Sequence, residues 1–409
     1  MQRLAFLYMR NNPGAEINII QRGSPSRNAW QLRDEVDMIR EQLGIQMMAG
    51  LAPDVMEAFL INTRNRDFFA DWMPLINAHP RFNNDEWFME AFHAAVDGGE
   101  LLVFPEKIHF SYISGNTSIP GLTDELALRE TISIKDMILL YNMFGGLDSG
   151  LHMHNSNSII AHTLWFSQNF LDWDSSFVNF ANPEFISLIE NTSQIMMPMP
   201  ATVTAIFGSQ ATNVPITTLM SIYFMFYSSL PYDITTFGLF TYETGFDNAL
   251  LFVNEYGKMY ISLTGGFVMS SQTTSIQQAL ALDFLRFTQD HTVDEVREIN
   301  ESAQFFTVGP VPINRSKFES HSRFVLSHTV ENAARDGRLR KTQAETIRFH
   351  MDRLTYAMTR PMVRVPIAPM SIAAFFDDLR HSLNLGLISP HEAATRMQNR
   401  VMLEILEGN

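Results

Sequence analysis

The chain has 409 residues, a length that suits two domains or one large body with two lobes. Its composition, 46% hydrophobic and 18% charged, excludes a disordered chain, a collagen-like fibre and a coiled coil. The formal net charge of −15 disfavours binding to the phosphate backbone of nucleic acids or to an anionic lipid surface. The sequence contains no cysteine, which excludes disulfide bonds, thiolate catalysis and cysteine-ligated metal centres.

Predicted helices and strands alternate over the first 110 residues. Apolar periodicity predicts helices over residues 1–12, 28–48 and 84–96, and strands over residues 15–21, 53–60, 100–104 and 107–113. This alternation is typical of an α/β layer with parallel strands.

Helices dominate the later part of the chain. Ser133 is the expected N-cap of a helix over 133–144. Further helices are predicted over 157–171, 183–194, 275–288, 317–336, 344–359, 372–385 and 390–407, and strands over 250–252 and 258–263. No change in composition marks a domain boundary, as expected for lobes that exchange strands.

Motifs of the common enzyme classes are missing from the sequence, which has no P-loop, no GxGxxG after a strand, no HExxH and no GxSxG. His152, His154 and His162 form the one histidine cluster. No second ligand pair is spaced to complete a metal shell around them, so a polar loop is the better interpretation. We therefore predict neither a metal nor another cofactor.

One pair of carboxylates keeps an enzymatic alternative open. Asp172 and Asp174 flank Trp173. Paired carboxylates hydrolyse glycosidic bonds only at defined separations and with different pKa values, which a sequence does not give. A glycoside hydrolase that uses one of these residues is thus an alternative function.

Aromatic residues make up 11% of the chain, and two groups of them are candidates for contact with a ligand. Residues 223–227 (YFMFY) follow a segment of small residues, and Phe375 and Phe376 lie in the first turns of a predicted helix. Aromatic rings stack on the apolar faces of sugar rings, and tyrosine adds a hydroxyl group. Packing in the core is the alternative interpretation for both groups.

Eight segments, in chain order, resemble blocks of the extracellular solute-binding proteins of ABC importers, the sugar-type family 1 that includes the maltose-binding protein. Together they span nearly the whole chain. They are residues 46–54 (QMMAGLAPD), 69–76 (FADWMPLI), 100–105 (ELLVFP), 133–144, 171–189 (LDWDSSFVNFANPEFISLI), 260–287, 309–318 (GPVPINRSKF) and 368–400, which ends in EAATRMQNR.

The resemblance implies an α/β fold of the type II periplasmic-binding-protein class. Each lobe has a mixed sheet flanked by helices, and the C-terminal portion is helical. Lobe one is expected from 1–110 and 260–318, and lobe two from 111–259 and 319–409. The implied function is to bind an extracellular solute, a mono- or oligosaccharide, in a cleft between lobes, and to deliver it to an ABC permease by hinge closure. No catalysis is implied.

The resemblance also suggests ligand-binding residues. Phe376, four residues before Arg380, matches an aromatic position that stacks on sugar in the family. Other cleft positions lie near the first crossing between lobes and in the aromatic segment after residue 222. The expected ligand-binding residues are His109, Phe110, Tyr112, Tyr223, Phe226, Tyr227, Phe375 and Phe376.

The family also sets expectations about location. Its members are extracellular, at the cell surface or periplasmic, and begin with a signal peptide, a lipid-anchored cysteine and a first strand. This chain is expected to open within the first helix, so membrane attachment would need a lipid anchor that the printed sequence does not contain. A surface adhesin on the same fold is the third functional alternative.

Overall fold

We describe the fold from a computed structural model of the chain. It describes residues 1–20, 29–58, 66–116, 119–144, 152–154, 170–172, 176–195, 218–224, 246–254, 256–290, 311–324, 335, 348, 352, 355–364 and 370–406.

Eleven α-helices have defined bounds within these described residues, and a short 3₁₀ helix spans Arg66–Phe68. The α-helices are α1 Gln2–Asn11, α2 Ala29–Met48, α3 Met73–Ala78, α4 Met89–Ala95, α5 Leu122–Ala127, α6 Ile134–Met143, α7 Pro183–Ile195, α8 Ser275–Asp290, α9 Arg315–Phe324, α10 Met370–Asn384 and α11 Pro390–Leu406. Within the same ranges, no helix has the length and apolar character needed to cross a membrane.

Strands are mostly short and occur throughout the described ranges. They are β1 Val55–Glu57, β2 Val103–Phe104, β3 Lys107–Asn116, β4 Thr131–Ile132, β5 His152–His154, β6 Leu171–Asp172, β7 Phe177–Val178, β8 Thr218–Phe224, β9 Phe246–Phe252, β10 Met259–Thr264, β11 Phe267–Met269, β12 Val311–Pro312 and β13 Met362–Arg364.

The described residues divide into two compact units, each built from separate stretches of chain. Those within Met1–Ile108 and Leu263–Val325 form unit 1, and those within His109–Ser228, Tyr232–Ser262 and Leu326–Asn409 form unit 2. Strands β3 and β10 each run from one unit into the other. The α/β fold class is confirmed. That the predicted lobes move against each other as bodies stays a prediction.

Unit 1 contains a three-stranded sheet in the order β1-β11-β2. Strand β11 is antiparallel to both neighbours, with Met56 opposite Val268 and Phe104 opposite Phe267. Because both outer strands oppose β11, β1 and β2 run in the same direction. The sequence predicts a layer with parallel strands. In unit 1 the parallel strands β1 and β2 are separated by β11, a segment some 160 residues later in sequence than β2.

Helix α2 covers this sheet with the apolar stripe that its sequence predicts. Ile39, Leu43 and Met47 are buried against strand residues that include Met56 and Val268. A separate aromatic group surrounds the buried Phe104, whose ring makes edge-on contacts with Trp72, Phe82, Trp87 and Phe92. Burial of this much apolar area is the main force that holds unit 1 together.

Helix α1 is fixed to α8 by one tyrosine. The ring of Tyr8 packs edge-on against Phe284 and Phe287 at 5.5 and 5.2 Å, and its hydroxyl donates to Asp283 Oδ2 at 2.7 Å. Burial and this carboxylate raise the pKa of Tyr8 above its ordinary value. Arg286 donates to the other oxygen of Asp283, which satisfies the carboxylate from both sides.

Most of an eight-stranded mixed sheet lies in unit 2. Its strand order is β13-β10-β3-β8-β5, and in addition β9 and β12 pair with β3 and β4 pairs with β9. The central strand β3 is antiparallel to β8 and β9, whereas the outer pairs β4·β9 and β5·β8 are parallel. Helix α5 packs so closely on β3 that a Cβ atom at Gly115 would lie 2.1 Å from Leu126 Cδ1 and 3.3 Å from Leu122 Cδ2. A side chain at position 115 would therefore force Leu126 to move.

Helices α6, α7, α10 and α11 supply the core of unit 2. Helix α6 begins with a capping box, in which Ser133 accepts from the Asp136 backbone and the Asp136 carboxylate accepts from Ser133 N–H. The predicted N-cap is confirmed. Apolar residues of all four helices pack with Phe170, Leu171 and Phe180 from the β6–β7 hairpin.

One side-chain amide joins two sequence segments that are 220 residues apart. Gln398 on α11 donates to the Val178 carbonyl at 2.9 Å and accepts from Phe180 N–H at 2.7 Å. The amide therefore satisfies two backbone groups at the end of the β6–β7 hairpin. In the sequence, Gln398 belongs to the block 368–400, and its backbone partners belong to the block 171–189.

Candidate functional site

Four of the predicted ligand-binding residues lie on neighbouring strands of unit 2. His109, Phe110 and Tyr112 are on β3, and Tyr223 is on β8. The register places Tyr112 directly opposite Tyr223. Phe110 is only 1% exposed, which fits a packing role. The structure thus brings together two residues that the sequence separates by 111 positions, and their contact with a ligand stays a prediction.

Phe375 and Phe376 lie on α10, where the sequence predicts a helix. Phe376 is fully buried in the core of unit 2, with its ring edge-on to Phe180 at 5.8 Å and 87°. Phe375 is partly buried against the same core. These contacts fit the packing interpretation for Phe376, and the role in ligand binding remains untested.

Several candidates lie outside the described residues. They include Phe226 and Tyr227, Asp174 with its neighbour Trp173, and His162. Asp172 is at the turn end of the β6–β7 hairpin, opposite Phe177, and His152 and His154 are on β5. Across the ranges that the structure covers, no three His, Asp or Glu residues converge as they would around a metal ion.

A group of charged residues in unit 1 was not identified from the sequence. Glu57 ends β1, and Glu106 and Lys107 follow β2. Because β1 and β2 run in the same direction, their carboxyl ends meet at one edge of the sheet, next to the Gly265–Gly266 turn that precedes β11.

Glu106 is central to this group. Its Oε1 lies 3.7 Å from the ammonium group of Lys107, and its Oε2 would lie 3.0 Å from a Cβ atom at Gly265. Gly265 has φ +67°, a left-handed conformation that glycine adopts without strain. The Glu106 carboxylate therefore rests against the turn because the turn has no side chain there. Its side chain is 26% exposed, so water or a ligand can reach it.

The charges of this group perturb one another. Partial desolvation raises the pKa of Glu57, the Glu106 carboxylate raises it further, and the amino group of Met1 acts in the opposite direction. Desolvation lowers the pKa of Lys317 on α9, whereas Glu106 raises it and Lys107 lowers it. We call Glu57, Glu106, Lys107 and Lys317 the edge set. The two glutamates can accept hydrogen bonds and the two lysines can donate them, and Lys317 already donates to Gln289 Oε1 at 3.3 Å.

The sequence did contain a signal for these residues, although an incomplete one. Glu57 interrupts an apolar run within the predicted strand 53–60, and Glu106 stands between two predicted strands. Their convergence depends on β1 and β2 flanking β11, a distant pairing that local periodicity does not reveal.

Comparisons of the whole structure show which known proteins share this fold. An extracellular solute-binding protein family 1 from Alicyclobacillus acidocaldarius matches with a TM-score of 0.59 at 12% identity, covering 99% of this chain and 94% of that chain. The sugar-binding protein MalE from Xanthomonas citri matches with a TM-score of 0.58 at 12% identity, covering 100% and 94%.

The cyclic alpha-maltosyl-1,6-maltose binding protein from Arthrobacter globiformis matches with a TM-score of 0.53 at 11% identity, covering 100% and 95%. The chain has the fold of the extracellular solute-binding proteins. No protein-family model matches the sequence, and no curated protein does. At these identities the likeness shows the solute-binding-protein fold, and the function has to be argued separately.

Proposed function

We propose that this protein is the solute-binding component of an ABC importer and that it binds a mono- or oligosaccharide without turning it over. The observation that carries the proposal is the match of the solute-binding-protein fold over 99–100% of the chain. Two of the matched proteins have names that specify a sugar ligand. The eight sequence segments in family order support the same conclusion independently.

Hinge closure is the proposed mode of action. A ligand that contacts both lobes stabilises the closed state in proportion to its extra contacts there. The strands β3 and β10, which pass from one unit into the other, are the described segments at which we expect the bending. Closure would present an ABC permease with a surface that the open form lacks.

Aromatic residues are proposed to provide the apolar part of the binding site. The candidates on described strands and helices are His109, Tyr112, Tyr223 and Phe375, and Phe226 and Tyr227 complete the set. Phe110 and Phe376 are buried and are expected to pack in the core. Stacking of a sugar ring on an aromatic face buries C–H groups, while tyrosine hydroxyls can bond to sugar hydroxyls.

The proposed location is outside the cytoplasmic membrane, at the cell surface or in the periplasm. The permease and the sugar are the proposed partners, and nucleic acid is not one, in keeping with the net charge of −15.

Thermal unfolding in the presence of a solute panel tests the proposal. The panel contains glucose, maltose, maltotriose, cellobiose and raffinose, with amino acids and short peptides for comparison. A sugar present at a hundredfold excess over its Kd should stabilise the native state by about 2.7 kcal/mol and raise the midpoint. A shift with peptides alone would contradict the carbohydrate assignment. A cooperative transition that no solute shifts would favour the adhesin alternative.

A further inference from the structure

We propose that Met402 on α11 is a site of reversible oxidation, and that its sulfoxide attaches α11 to the β6–β7 hairpin more firmly than the thioether does. The inference goes beyond the proposed function and does not depend on it. The modification is methionine sulfoxide, and the reactant is hydrogen peroxide.

Methionine carries all the sulfur of this sequence. The chain has 24 methionines and no cysteine, so oxidation of sulfur by a peroxide forms methionine sulfoxide. The thioether sulfur attacks one oxygen of hydrogen peroxide, an S–O bond forms and the O–O bond breaks. The proton on the transferred oxygen passes to the departing hydroxide, which leaves as water. The sulfur is oxidised, the peroxide is reduced, and methionine sulfoxide reductases reverse the change.

Met402 is accessible to an oxidant in the native state. Its exposed fraction is 45%, whereas Met397, on the same helix, is fully buried in the core of unit 2. A peroxide in solution therefore reaches Met402 directly, but it reaches Met397 only if unit 2 opens. The two residues thus distinguish oxidation of the folded protein from oxidation that follows unfolding.

The hydrogen bonds of Gln398 distinguish Met402 from an ordinary exposed methionine. The amide nitrogen of Gln398 donates to Met402 Sδ at 3.4 Å. The same nitrogen donates to the Val178 carbonyl at 2.9 Å, and the amide oxygen accepts from Phe180 N–H at 2.7 Å. An amide nitrogen has two hydrogens, so both donations can occur together. The Met402 sulfur therefore contacts the side chain that joins α11 to the hairpin.

Oxidation changes the strength of the acceptor at this contact. Thioether sulfur is only a weak acceptor, whereas the sulfoxide group is polar. Methionine has three rotatable bonds, so the new oxygen can turn toward the Gln398 amide nitrogen while the helix stays in place. The sulfoxide is uncharged, so its effect is confined to the groups that it contacts. We expect the Gln398 amide, and with it the hairpin, to be held more firmly.

Mild oxidation followed by hydrogen exchange tests the proposal. The protein is treated with hydrogen peroxide, and peptide mapping by mass spectrometry measures the sulfoxide at Met402. Met397 reports unfolding, and Met48 on α2, which is 70% exposed, reports access of the oxidant. Hydrogen exchange at Phe180 N–H is measured before oxidation, after oxidation, and after reduction by methionine sulfoxide reductases.

Two variants serve as controls in the same experiment. Met402→Leu removes the sulfur and keeps an apolar side chain. Gln398→Glu keeps an oxygen that can accept from Phe180 N–H and removes the donors to the sulfoxide. Neither variant should change its exchange rate at Phe180 N–H when it is oxidised.

In the wild type, we expect Met402 to be oxidised along with Met48 while Met397 stays reduced. Exchange at Phe180 N–H should then slow by about threefold or more, since about threefold is at the low end of what one hydrogen bond contributes. Reduction of the sulfoxide should restore the original rate.

Several results would overturn the assignment. A thioether at Met402 that survives complete oxidation of Met48, or that reacts only together with Met397, would remove the site. Unchanged or faster exchange at Phe180 N–H in the sulfoxide form would show that the sulfoxide does not strengthen the attachment. Equal slowing in oxidised Met402→Leu would assign the effect to another methionine.

Discussion

Replacing Phe376 by alanine separates the two roles that the ring could have. The ring is fully buried in unit 2 and meets Phe180 edge-on at 5.8 Å. Truncation of a fully buried phenylalanine removes its transfer free energy and leaves a cavity, which together amount to about 3–5 kcal/mol. We therefore expect Phe376→Ala to lower the free energy of unfolding of unit 2 by about that amount. A fraction of it, about 0.5–1.5 kcal/mol, belongs to the aromatic pair.

Urea unfolding followed by circular dichroism measures this effect. Phe177→Ala is the matched control, because Phe177 lies in the adjoining β6–β7 hairpin but is 44% exposed, and the change should be within about 0.5 kcal/mol. A Phe376→Ala protein that unfolds like the wild type but binds sugar about 1–3 kcal/mol more weakly would refute the packing argument. It would make the ring a ligand contact.

Three further substitutions test the packing and hydrogen bonding of unit 2. Gly115→Ala should lower the free energy of unfolding by about 1–3 kcal/mol, because the new methyl group overlaps Leu126. The double variant with Leu126→Ala should lose less stability than the two single variants lose together, and strict additivity in urea unfolding would contradict the contact. Gln398→Leu should lower the free energy of unfolding by about 1–3 kcal/mol, because two backbone groups of the hairpin lose their hydrogen-bond partner. Hydrogen exchange at Phe180 N–H should become faster, and unchanged exchange there would rule out the bond. Ser133→Ala should lower the free energy of unfolding by about 0.5–2 kcal/mol, and Ser133→Asp should lose less, because aspartate can also cap the helix. Equal stability of the wild type and both variants would argue against the cap.

Helices were the part of the fold that sequence reasoning predicted best. The predicted helix over 183–194 is Pro183–Ile195 in the structure, that over 275–288 is Ser275–Asp290, and that over 390–407 is Pro390–Leu406. A helix is specified by neighbours three and four residues apart, so the information is local. Predicted helices over 157–171 and 344–359 lie largely outside the described residues.

Strand pairing was predicted less well, because it depends on residues far apart in sequence. The segment 15–21 was predicted as a strand, and residues 15–20 alternate between half-buried and exposed as a strand would. They join no ladder with the other described residues, because alternation specifies a face and does not supply a partner. The insertion of β11 between β1 and β2 was missed for the same reason.

Prediction of the candidate site was limited in the same way, because it depends on which strands pair. Aromatic residues such as Tyr112 and Tyr223 could be proposed from composition and resemblance, and the register of β3 and β8 then placed them opposite each other. Glu57 and Glu106 were not proposed, since single glutamates within or between predicted strands are ordinary. Their interest arises only from the sheet edge on which they meet.

Titration calorimetry with the sugar panel, followed by chromatography of the recovered sugar, tests the central claim most directly. We expect one class of sugar to bind saturably, one molecule per chain, and to be recovered unchanged. Recovery of hydrolysed oligosaccharide would establish the glycosidase alternative. Absence of saturable binding by every sugar at millimolar concentration would contradict the assignment of this protein as a carbohydrate carrier.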